Sequence, residues 1–438
     1  MQSNTLRAGA AQTDISPQDS QFLYGYPYVE RYSTGIHDPL LSSSLYLAAA
    51  ESEVLFIAND IIFIDKDTCR RVREGIAAAT SLASEAIMVT ATHTHSGPIT
   101  VDNFLCAVFD PVIPQRDRKY VDYLVERMIA SGIAAFRAAR PARAGFAIAD
   151  DTGVGTNRHD PNGPANHQVP VMLVKDSTED QPIACMLVCS MHPTVLHEDS
   201  TLVSADFPGQ ARIYLQEQVL GADCPVLHHT GPAGNQSPRH VTRGNTFEEA
   251  RRLGEILGRA VEKSIGAMAF RDDLPVAVTH AFLPDPPRRE LPSPEEARAT
   301  LEERTQRLEE LRKSGAPKEE IRTAECDWFG ADRTAGLAPM AAEGRLENAY
   351  QASLPLELQI IKVGDWHFAA WPGEIFVEYA LAVKEASPHT FVIAYANGTT
   401  AGYIVTAEAA RKGCYESFNA LFCPEVGPLL VQETLQRV

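Results

Sequence analysis

The sequence predicts an α/β fold with a layered, mixed β-sheet core and flanking helices. Short runs rich in β-forming residues alternate with helical patterns along most of the 438 residues, which is the order expected of a layered α/β protein. With 45% hydrophobic and 22% charged residues and no low-complexity tract, the composition is that of a globular protein. We therefore expect one large domain over residues 1–438.

The strand predictions rest on short apolar runs bounded by turn residues. Residues 356–362 and 366–371 flank Gly364 and Asp365 and therefore predict a β-hairpin. The other strands are predicted at residues 54–58, 87–94, 171–174 and 183–188.

Two helices are predicted from their caps and from the spacing of apolar residues. Thr246 and Glu249 form a capping box before apolar residues at helical spacing, which predicts a helix with one face in the core. The segment Ser293-Pro294-Glu-Glu296 begins a highly charged helix, and we interpret residues 284–337 as a helical insertion. The insertion either covers the mouth of an active site or is a solvated surface decoration, and its narrow apolar stripe favours the decoration.

Charge and hydropathy exclude several classes of partner. The formal net charge of -18 makes the surface repel phosphate backbones and anionic lipid headgroups, so we expect neither nucleic acid nor an acidic membrane as a partner. The sequence has no apolar run near the roughly 20 residues that span a bilayer and no signal-peptide pattern, so we expect a cytoplasmic protein. Its eight cysteines include no C-x-x-C pair, and we expect them to be reduced thiols.

Histidines near the ends of two predicted strands are candidates for metal ligands. His93 and His95 follow the apolar run at 87–90, and alternation along a strand would place both side chains on one face. His192 follows the apolar run at 186–189, and the proline after it cannot extend the strand. Imidazoles that meet at strand ends suit a metal site. The alternative for each histidine by itself is a buried structural role.

Oxygen-bearing and cationic side chains complete the candidates. Glu374 lies between a predicted strand and a helical pattern, where it can serve as the oxygen ligand of a zinc site or interact with the amide donors of a helix N-terminus. Tyr403 follows a glycine-bearing turn, but tyrosine is a rare zinc ligand and its spacing alone favours a structural role. Arg158 offers a cation in a glycine-rich loop, and Ser237 lies in the turn-rich loop 231–238.

In chain order, these segments resemble the catalytic domain of the neutral (non-lysosomal) ceramidase family. The resemblance rests on the motifs His-Thr-His-Ser-Gly-Pro, Asn-Arg, His-Pro-Thr, Gly-x-x-Ser-Pro, Pro-Gly-Glu and a tyrosine followed twelve residues later by Tyr-Glu. It implies a zinc ion with four protein ligands: His93, His192, Glu374 and Tyr403. It also implies that His95, Arg158 and Tyr415 surround the scissile bond and that the catalytic residue Ser237 lies in the loop that shapes the site.

The resemblance therefore predicts a single ceramidase-like catalytic domain, a zinc-dependent hydrolase that cleaves an amide bond with a metal-activated water. Because the sequence offers no basic amphipathic helix for docking on a membrane, we expect a soluble amide or ester substrate rather than ceramide. Three alternatives stay open: a zinc-dependent esterase or lactonase, a phosphoesterase, and a non-catalytic protein stabilised by its metal. The sequence does not predict an oligomeric state.

Two departures from the family pattern bear on these expectations. Asn235 stands where the family has aspartate, and an amide cannot exchange protons at neutral pH. If that position serves as acid or base, Asp206 is the first candidate to replace it. The sequence reaches Val438 soon after the last motif, so we expect a member without the family's β-rich C-terminal domain.

Overall fold

Nineteen strands and eleven α-helices lie in the part of the chain that the structure, a computed structural model, describes: residues 5–50, 52–102, 112–400 and 402–438. The strands are β1 Arg7–Asp14, β2 Gly35–Ile36, β3 Leu41–Ala49, β4 Ser52–Asn59, β5 Ile87–Ala91, β6 Arg140–Asp150, β7 Thr156–Asn157, β8 Gln168–Asp176, β9 Pro182–Cys189, β10 Leu202–Val203, β11 Val226–Thr230, β12 Gln236–Ser237, β13 Phe270–Arg271, β14 Val276–Leu283, β15 Leu356–Val363, β16 Trp366–Ala370, β17 Glu374–Ile375, β18 Thr390–Ile393 and β19 Tyr403–Ile404. The helices are α1 Lys66–Ala77, α2 Arg118–Arg137, α3 Asp206–Leu215, α4 Phe247–Ile265, α5 Pro294–Ser314, α6 Lys318–Ala342, α7 Glu347–Ser353, α8 Val377–Ala386, α9 Ala407–Lys412, α10 Tyr415–Phe418 and α11 Val426–Leu435.

Two mixed sheets organise these elements. The large sheet has the order β11-β9-β8-β6-β1-β3-β4-β5, with β13 beside β6, and its pairs are antiparallel except β9 with β11 and β4 with β5. The small sheet has the order β14-β15-β16-β18 and is antiparallel except for the pair β16 and β18. The mixed sheets with flanking helices confirm the predicted fold class.

The two sheets and the helices on their outer faces form four layers, with hydrophobic clusters between successive layers. Phe56 of the large sheet packs in one cluster with Ile361 and Phe368 of the small sheet. Helices α1 to α4 cover the other face of the large sheet, and α8 and α11 cover the other face of the small sheet. Within β4, Phe56 faces the small sheet whereas Leu55 and Ile57 face the helices. Because both faces are buried, the strands are continuous apolar runs rather than alternating patterns.

The predicted hairpin and the first predicted helix are confirmed. Strands β15 and β16 pair antiparallel around a turn in which Gly364 has a φ of 63°, a left-handed conformation that glycine adopts without strain. Thr246 caps α4 by accepting a hydrogen bond from the Glu249 N–H, and the apolar stripe after it is buried. The predicted capping box is only half formed, because the Glu249 carboxylate accepts from the Arg243 N–H instead of the Thr246 N–H. Strands β4, β8 and β9 extend beyond the runs predicted for them.

The charged segment after β14 forms two long helices that pack against each other. The predicted helix α5 begins with a capping box formed by Ser293 and Glu296, and Gly315, with a φ of 66°, ends it. Helix α6 begins three residues later and continues to Ala342.

Seven cysteines lie in the described part of the chain, and none of these seven forms a disulfide. Cys106 lies outside the described residues. Of the helices in the described ranges, not one combines the length and the apolar character needed to cross a membrane.

Candidate metal centre

Two imidazoles and a carboxylate from three distant segments meet in the interior. His93 lies after β5, His192 lies after β9, and Glu374 is the first residue of β17. The Oε2 atom of Glu374 is 3.5 Å from His93 Nε2 and 3.3 Å from His192 Nε2. All three side chains are buried. The structure therefore brings together three of the four residues that the family resemblance implies as zinc ligands.

The hydrogen bonds of the two imidazoles determine which ring nitrogen faces the cluster. His93 Nδ1 is 2.8 Å from the Ile62 carbonyl oxygen, and His192 Nδ1 is 2.6 Å from the Ala233 carbonyl oxygen. A carbonyl only accepts, so each Nδ1 carries a proton, and in the neutral ring the Nε2 atom then presents a lone pair to the cluster. A backbone carbonyl on the second ring nitrogen is the usual arrangement of a metal-ligating histidine.

The cluster places His192 Nε2 and Glu374 Oε2 3.3 Å apart. His192 Nε2 and Glu374 Oε2 are buried and lack a hydrogen-bond partner within the described residues. Buried polar atoms without partners are costly unless a cation or a proton satisfies them. Their arrangement fits a divalent metal ion, which two imidazole nitrogens and a carboxylate oxygen commonly bind.

The local structure that presents His93 differs from the prediction. Strand β5 ends at Ala91, so the strand predicted to continue to residue 94 is too long, and His93 and His95 do not share a strand face. The chain leaves the sheet because the His93 N–H donates to the Ile61 carbonyl, and His93 then adopts a left-handed φ of 68°. A non-glycine residue in this conformation is strained, a feature that is concentrated at functional sites.

Strand pairing, rather than a helix, positions Glu374 beside Tyr403. The two residues are direct partners in the parallel pair of β17 and β19, whereas α8 begins only at Val377, so the helix N-terminal role considered for Glu374 is wrong. The preceding residue, Gly373, has a φ of 87°, and a Cβ atom there would lie 2.0 Å from the Thr400 hydroxyl oxygen. Only glycine fits this position, which explains the Pro-Gly-Glu motif.

His95 is a second candidate for a further ligand position. Its Nε2 is 3.3 Å from His93 Nε2, and the ring nitrogens of His93, His95 and His192 lie within 4.8 Å of one another. The buried Arg31 donates to the carbonyl oxygen of His95, and the Tyr26 ring meets the His95 ring edge-on. The geometry thus offers both His95 and Tyr403 for the remaining ligand.

Arg158, Tyr403 and Tyr415 form the adjoining part of the site. Arg158 lies 2.5 Å from a carboxylate oxygen of Glu416 and donates to the Tyr403 hydroxyl at 3.4 Å. The Tyr403 and Tyr415 rings are 5.8 Å apart in an edge-on arrangement. Burial, together with the negative charge of Glu374, raises the pKa of both phenols above the ordinary value. Tyr415 therefore keeps its proton at neutral pH.

Ser237 does not join this group. It belongs to β12, which pairs with β7, and its hydroxyl accepts a hydrogen bond from the Arg239 N–H. Its side chain caps the short turn that follows. Ser237 is absent from the described lining of the cavity next to the cluster.

A cavity of about 460 Å³ opens beside the cluster. Five of the predicted site residues line it: His93, His95, Glu374, Tyr403 and Tyr415. Aromatic and aliphatic side chains form much of the remaining wall: Tyr24, Tyr28, Ile62, Phe63, Val101, Ile113 and Phe329. Helix α6 of the charged segment contributes Phe329 and Arg333, and Phe329 stacks on Tyr28 at 5.5 Å. This segment therefore covers one side of the cavity.

The site also includes a residue that sequence reasoning did not single out. Tyr395 stacks on the His93 ring at 4.2 Å with an angle of 19° between the planes. It is buried, and its hydroxyl has no hydrogen-bond partner within the described residues. The sequence feature that could have identified Tyr395 is its position just beyond β18, because the two candidate histidine segments also lie just beyond strand ends.

Neither Asn235 nor Asp206 lines the cavity. The Asn235 side chain accepts from the Val377 N–H at 3.0 Å and donates to Glu378 at 2.9 Å, so it caps α8. Asp206 accepts from the N–H groups of Val195 and Leu196 and orders the chain that follows His192. Burial raises the pKa of Asp206 to about 7.

The Asn235→Asp variant is expected to be less stable than the natural protein. Aspartate would replace the amide donor that faces Glu378 with a second carboxylate, and the two negative charges would repel each other. The favourable interaction of the new negative charge with the N-terminus of α8 would offset part of this loss. We expect a net loss of about 1–2 kcal/mol in the free energy of unfolding, measured by urea denaturation. The Asn235→Asp/Glu378→Gln double variant, in which an amide again faces a carboxylate, is the control. Equal losses in both variants would contradict this explanation of Asn235.

Comparisons with known proteins agree with this fold. The sequence matches the family model described as neutral/alkaline non-lysosomal ceramidase, N-terminal, over residues 6–230. No curated protein matches it. The fold resembles the crystal structure of neutral ceramidase from Pseudomonas aeruginosa, with a TM-score of 0.76 and 19% identity over 98% of this chain and 73% of that chain. It also resembles a ceramidase complexed with C2, with a TM-score of 0.74 and 16% identity over 98% of this chain and 74% of that chain. The chain belongs to the neutral/alkaline non-lysosomal ceramidase family, whose members are hydrolases acting on amide bonds.

Proposed function

We propose that this protein is a zinc-dependent amidohydrolase that cleaves a soluble N-acyl compound. One observation carries the proposal: His93 Nε2, His192 Nε2 and Glu374 Oε2 face one another in the interior, with the carboxylate oxygen within 3.5 Å of both nitrogens. Two histidines and a glutamate are the protein ligands of a familiar class of catalytic zinc site. Tyr403 and His95 are the candidates for a further ligand.

The remaining groups are suited to hydrolysis of an amide. When bound, zinc would supply Lewis acidity and activate water. The Tyr415 phenol, which keeps its proton, can donate a hydrogen bond to the carbonyl oxygen as it gains negative charge. Arg158, held by Glu416, places a fixed positive charge beside Tyr403 and Tyr415. Burial and the neighbouring imidazoles keep the pKa of His95 well below its usual range, so this ring is neutral and can orient substrate by hydrogen bonding.

Two features support a soluble substrate. The net charge of -18 repels anionic lipid surfaces. The cavity also has a polar part, which includes Asn348, Ser353 and Asn419 beside its aromatic wall. A small N-acyl compound can place its acyl group against the aromatic wall and its polar group against these side chains. The cytoplasmic location stays a prediction.

Removal of the metal is expected to abolish amide hydrolysis, and added zinc is expected to restore it. The apoprotein is also expected to melt at a lower temperature, because an ion that binds only the folded state stabilises that state. Metal content by plasma mass spectrometry, turnover of chromogenic amides and a thermal melt measure these effects in one preparation. Full turnover by metal-free protein would overturn the proposal.

A matched panel of amides, esters, lactones and phosphoesters distinguishes the proposed reaction from its alternatives. Preferential turnover of amides supports the proposal, whereas preference for another bond supports an esterase, lactonase or phosphoesterase. Bound zinc without any turnover supports a non-catalytic metalloprotein. Asn235 does not favour that last alternative, because its side chain caps α8 and does not line the cavity.

A further inference from the structure

The cavity beside the metal cluster contains a lysine at the start of a helix. Lys66 is the first residue of α1 and lines this cavity. A positive charge at the N-terminus of a helix is disfavoured by the helix dipole, which prefers anions there. Within the described residues, Lys66 forms no ion pair, and the carboxylate whose charge acts on it, that of Glu357, lies 2.8 Å from Arg73.

The surrounding contacts hold Lys66 without neutralising it. Its ammonium donates to the carbonyl oxygens of Leu354 and Pro355, which occupy two of its three N–H groups. Its aliphatic stem passes over Gly398, where an added Cβ atom would lie 3.1 Å from the Lys66 Cγ. Lys66 is thus held in place at the cavity wall with one donor left for a ligand.

The acidic residues of the same wall have cationic partners of their own. Asp65 is 2.5 Å and Asp102 is 3.1 Å from atoms of the Arg116 guanidinium, and Asp67 is 2.7 Å from Arg70. The Asp67 and Asp102 side chains are also 54% and 45% exposed, so water screens their charges. In this part of the cavity wall, Lys66 is therefore a half-buried cation that an anionic ligand can reach.

We propose that the substrate is an N-acyl compound with a carboxylate on its amine portion, such as an N-acyl amino acid, and that Lys66 binds this carboxylate. The proposal rests on the proposed amidohydrolase function and adds the chemical class of the substrate. The aromatic wall around Tyr24, Phe63 and Phe329 accepts the acyl group. Arg333, the cation that α6 contributes, donates to Asn419 Oδ1 at 2.9 Å and adds positive potential to the cavity.

Two substrates that differ mainly in charge test this proposal. An N-acylglycine and the N-acylethanolamine with the same acyl chain have amine portions of similar length, but only the first is anionic. In the zinc-loaded protein, we expect kcat/KM for the N-acylglycine to exceed that for the N-acylethanolamine by about 10-fold to 100-fold, the range of one hydrogen bond between charged groups. Equal or lower kcat/KM for the N-acylglycine would overturn the proposal.

Variants of Lys66 separate substrate recognition from a purely structural role. Lys66→Met is expected to lower kcat/KM for the N-acylglycine by about 10-fold to 100-fold and to change that for the N-acylethanolamine by less than about 3-fold. Lys66→Arg, which keeps the positive charge, is expected to retain part of the preference for the N-acylglycine over the N-acylethanolamine. Lys384→Met is the matched control, since Lys384 is also half-buried, hydrogen-bonds to a neutral oxygen, and lies away from this cavity. An equal decrease in kcat/KM for both substrates in Lys66→Met would assign Lys66 a structural role and overturn the proposal.

The experiment also separates failure of this inference from failure of the proposed function. Turnover of the neutral substrate without a preference for the anionic one contradicts only the role of Lys66. If zinc-loaded protein hydrolyses neither compound nor any amide of the wider panel, the amidohydrolase function itself is wrong.

Discussion

The His192→Ala variant is expected to lose both its bound metal and its amide hydrolysis. His192 supplies one of the lone pairs that face Glu374, and the Ala233 carbonyl holds its ring in the required tautomer. Loss of a group that only orients a ligand already costs about 10-fold to 100-fold in metal affinity or activity, so loss of the ligand itself is expected to cost about 1,000-fold or more. Metal analysis after dialysis and kcat/KM for the best amide substrate measure both effects.

A matched histidine controls for the loss of an imidazole as such. His389 is exposed and lies outside the cavity lining, so His389→Ala is expected to keep its metal and its activity. Unchanged metal content in His192→Ala would leave the cluster as a group of buried structural histidines, and the hydrolase proposal would fail with it.

The Arg158→Met variant is expected to lose both activity and stability. The Arg158 and Glu416 side chains are 8% and 1% exposed, so removal of the arginine leaves a buried carboxylate without its main cationic partner. The Glu416 carboxylate then keeps its contact with His159 Nε2 at 2.8 Å. Breaking a buried ion pair on one side typically costs about 3–5 kcal/mol, which is the expected decrease in the free energy of unfolding. Chemical denaturation measures the stability, and amide turnover measures the activity.

A double variant distinguishes the structural from the catalytic contribution of Arg158. Arg158→Met/Glu416→Gln removes the unpaired charge and is expected to recover most of the stability while it stays inactive.

The stability that the Arg158–Glu416 pair contributes is expected to depend on pH. The pKa of Glu416 is depressed because the charges of Arg158 and His159 outweigh burial. The contribution of Glu416 to stability is therefore present above the pKa of an ordinary glutamate and is lost as pH falls. The stability gap between the natural protein and Arg158→Met should therefore narrow at acid pH. Recovery of activity in the double variant would contradict a catalytic role for Arg158.

Local chemistry was sufficient to predict several parts of the fold. The N-cap at Thr246, the helix start at Ser293 and the turn at Gly364 depend on neighbours within a few residues, and the structure confirms all three. The strand ending at Ala91 was predicted too long, because the turn away from the sheet is made by a bond from His93 to Ile61, a residue on another segment. Long-range hydrogen bonds of this kind leave no mark in a short stretch of sequence.

The same distinction holds for the candidate site. The residue types and motifs were visible in the sequence, and the family resemblance predicted which of them would gather. The roles of Ser237 and Asn235 were not visible, since the first caps a local turn and the second caps α8 from a distant loop. The stacking of Tyr395 on His93 was missed for the same reason, because it joins two strands that are far apart in the chain.

The sequence by itself determined the fold class, the family, the acidic surface and the set of side chains able to bind a metal, because composition, apolar periodicity and short motifs are local properties of the chain. Only the tertiary structure decided that the Nε2 lone pairs of His93 and His192 point toward Glu374, that α6 covers one side of the cavity, and that Lys66 lies in its wall. These features depend on strand register, on backbone carbonyls in remote loops that accept hydrogen bonds from the two imidazoles, and on packing between elements. Distances between atoms on separate segments are set by the folded chain as a whole.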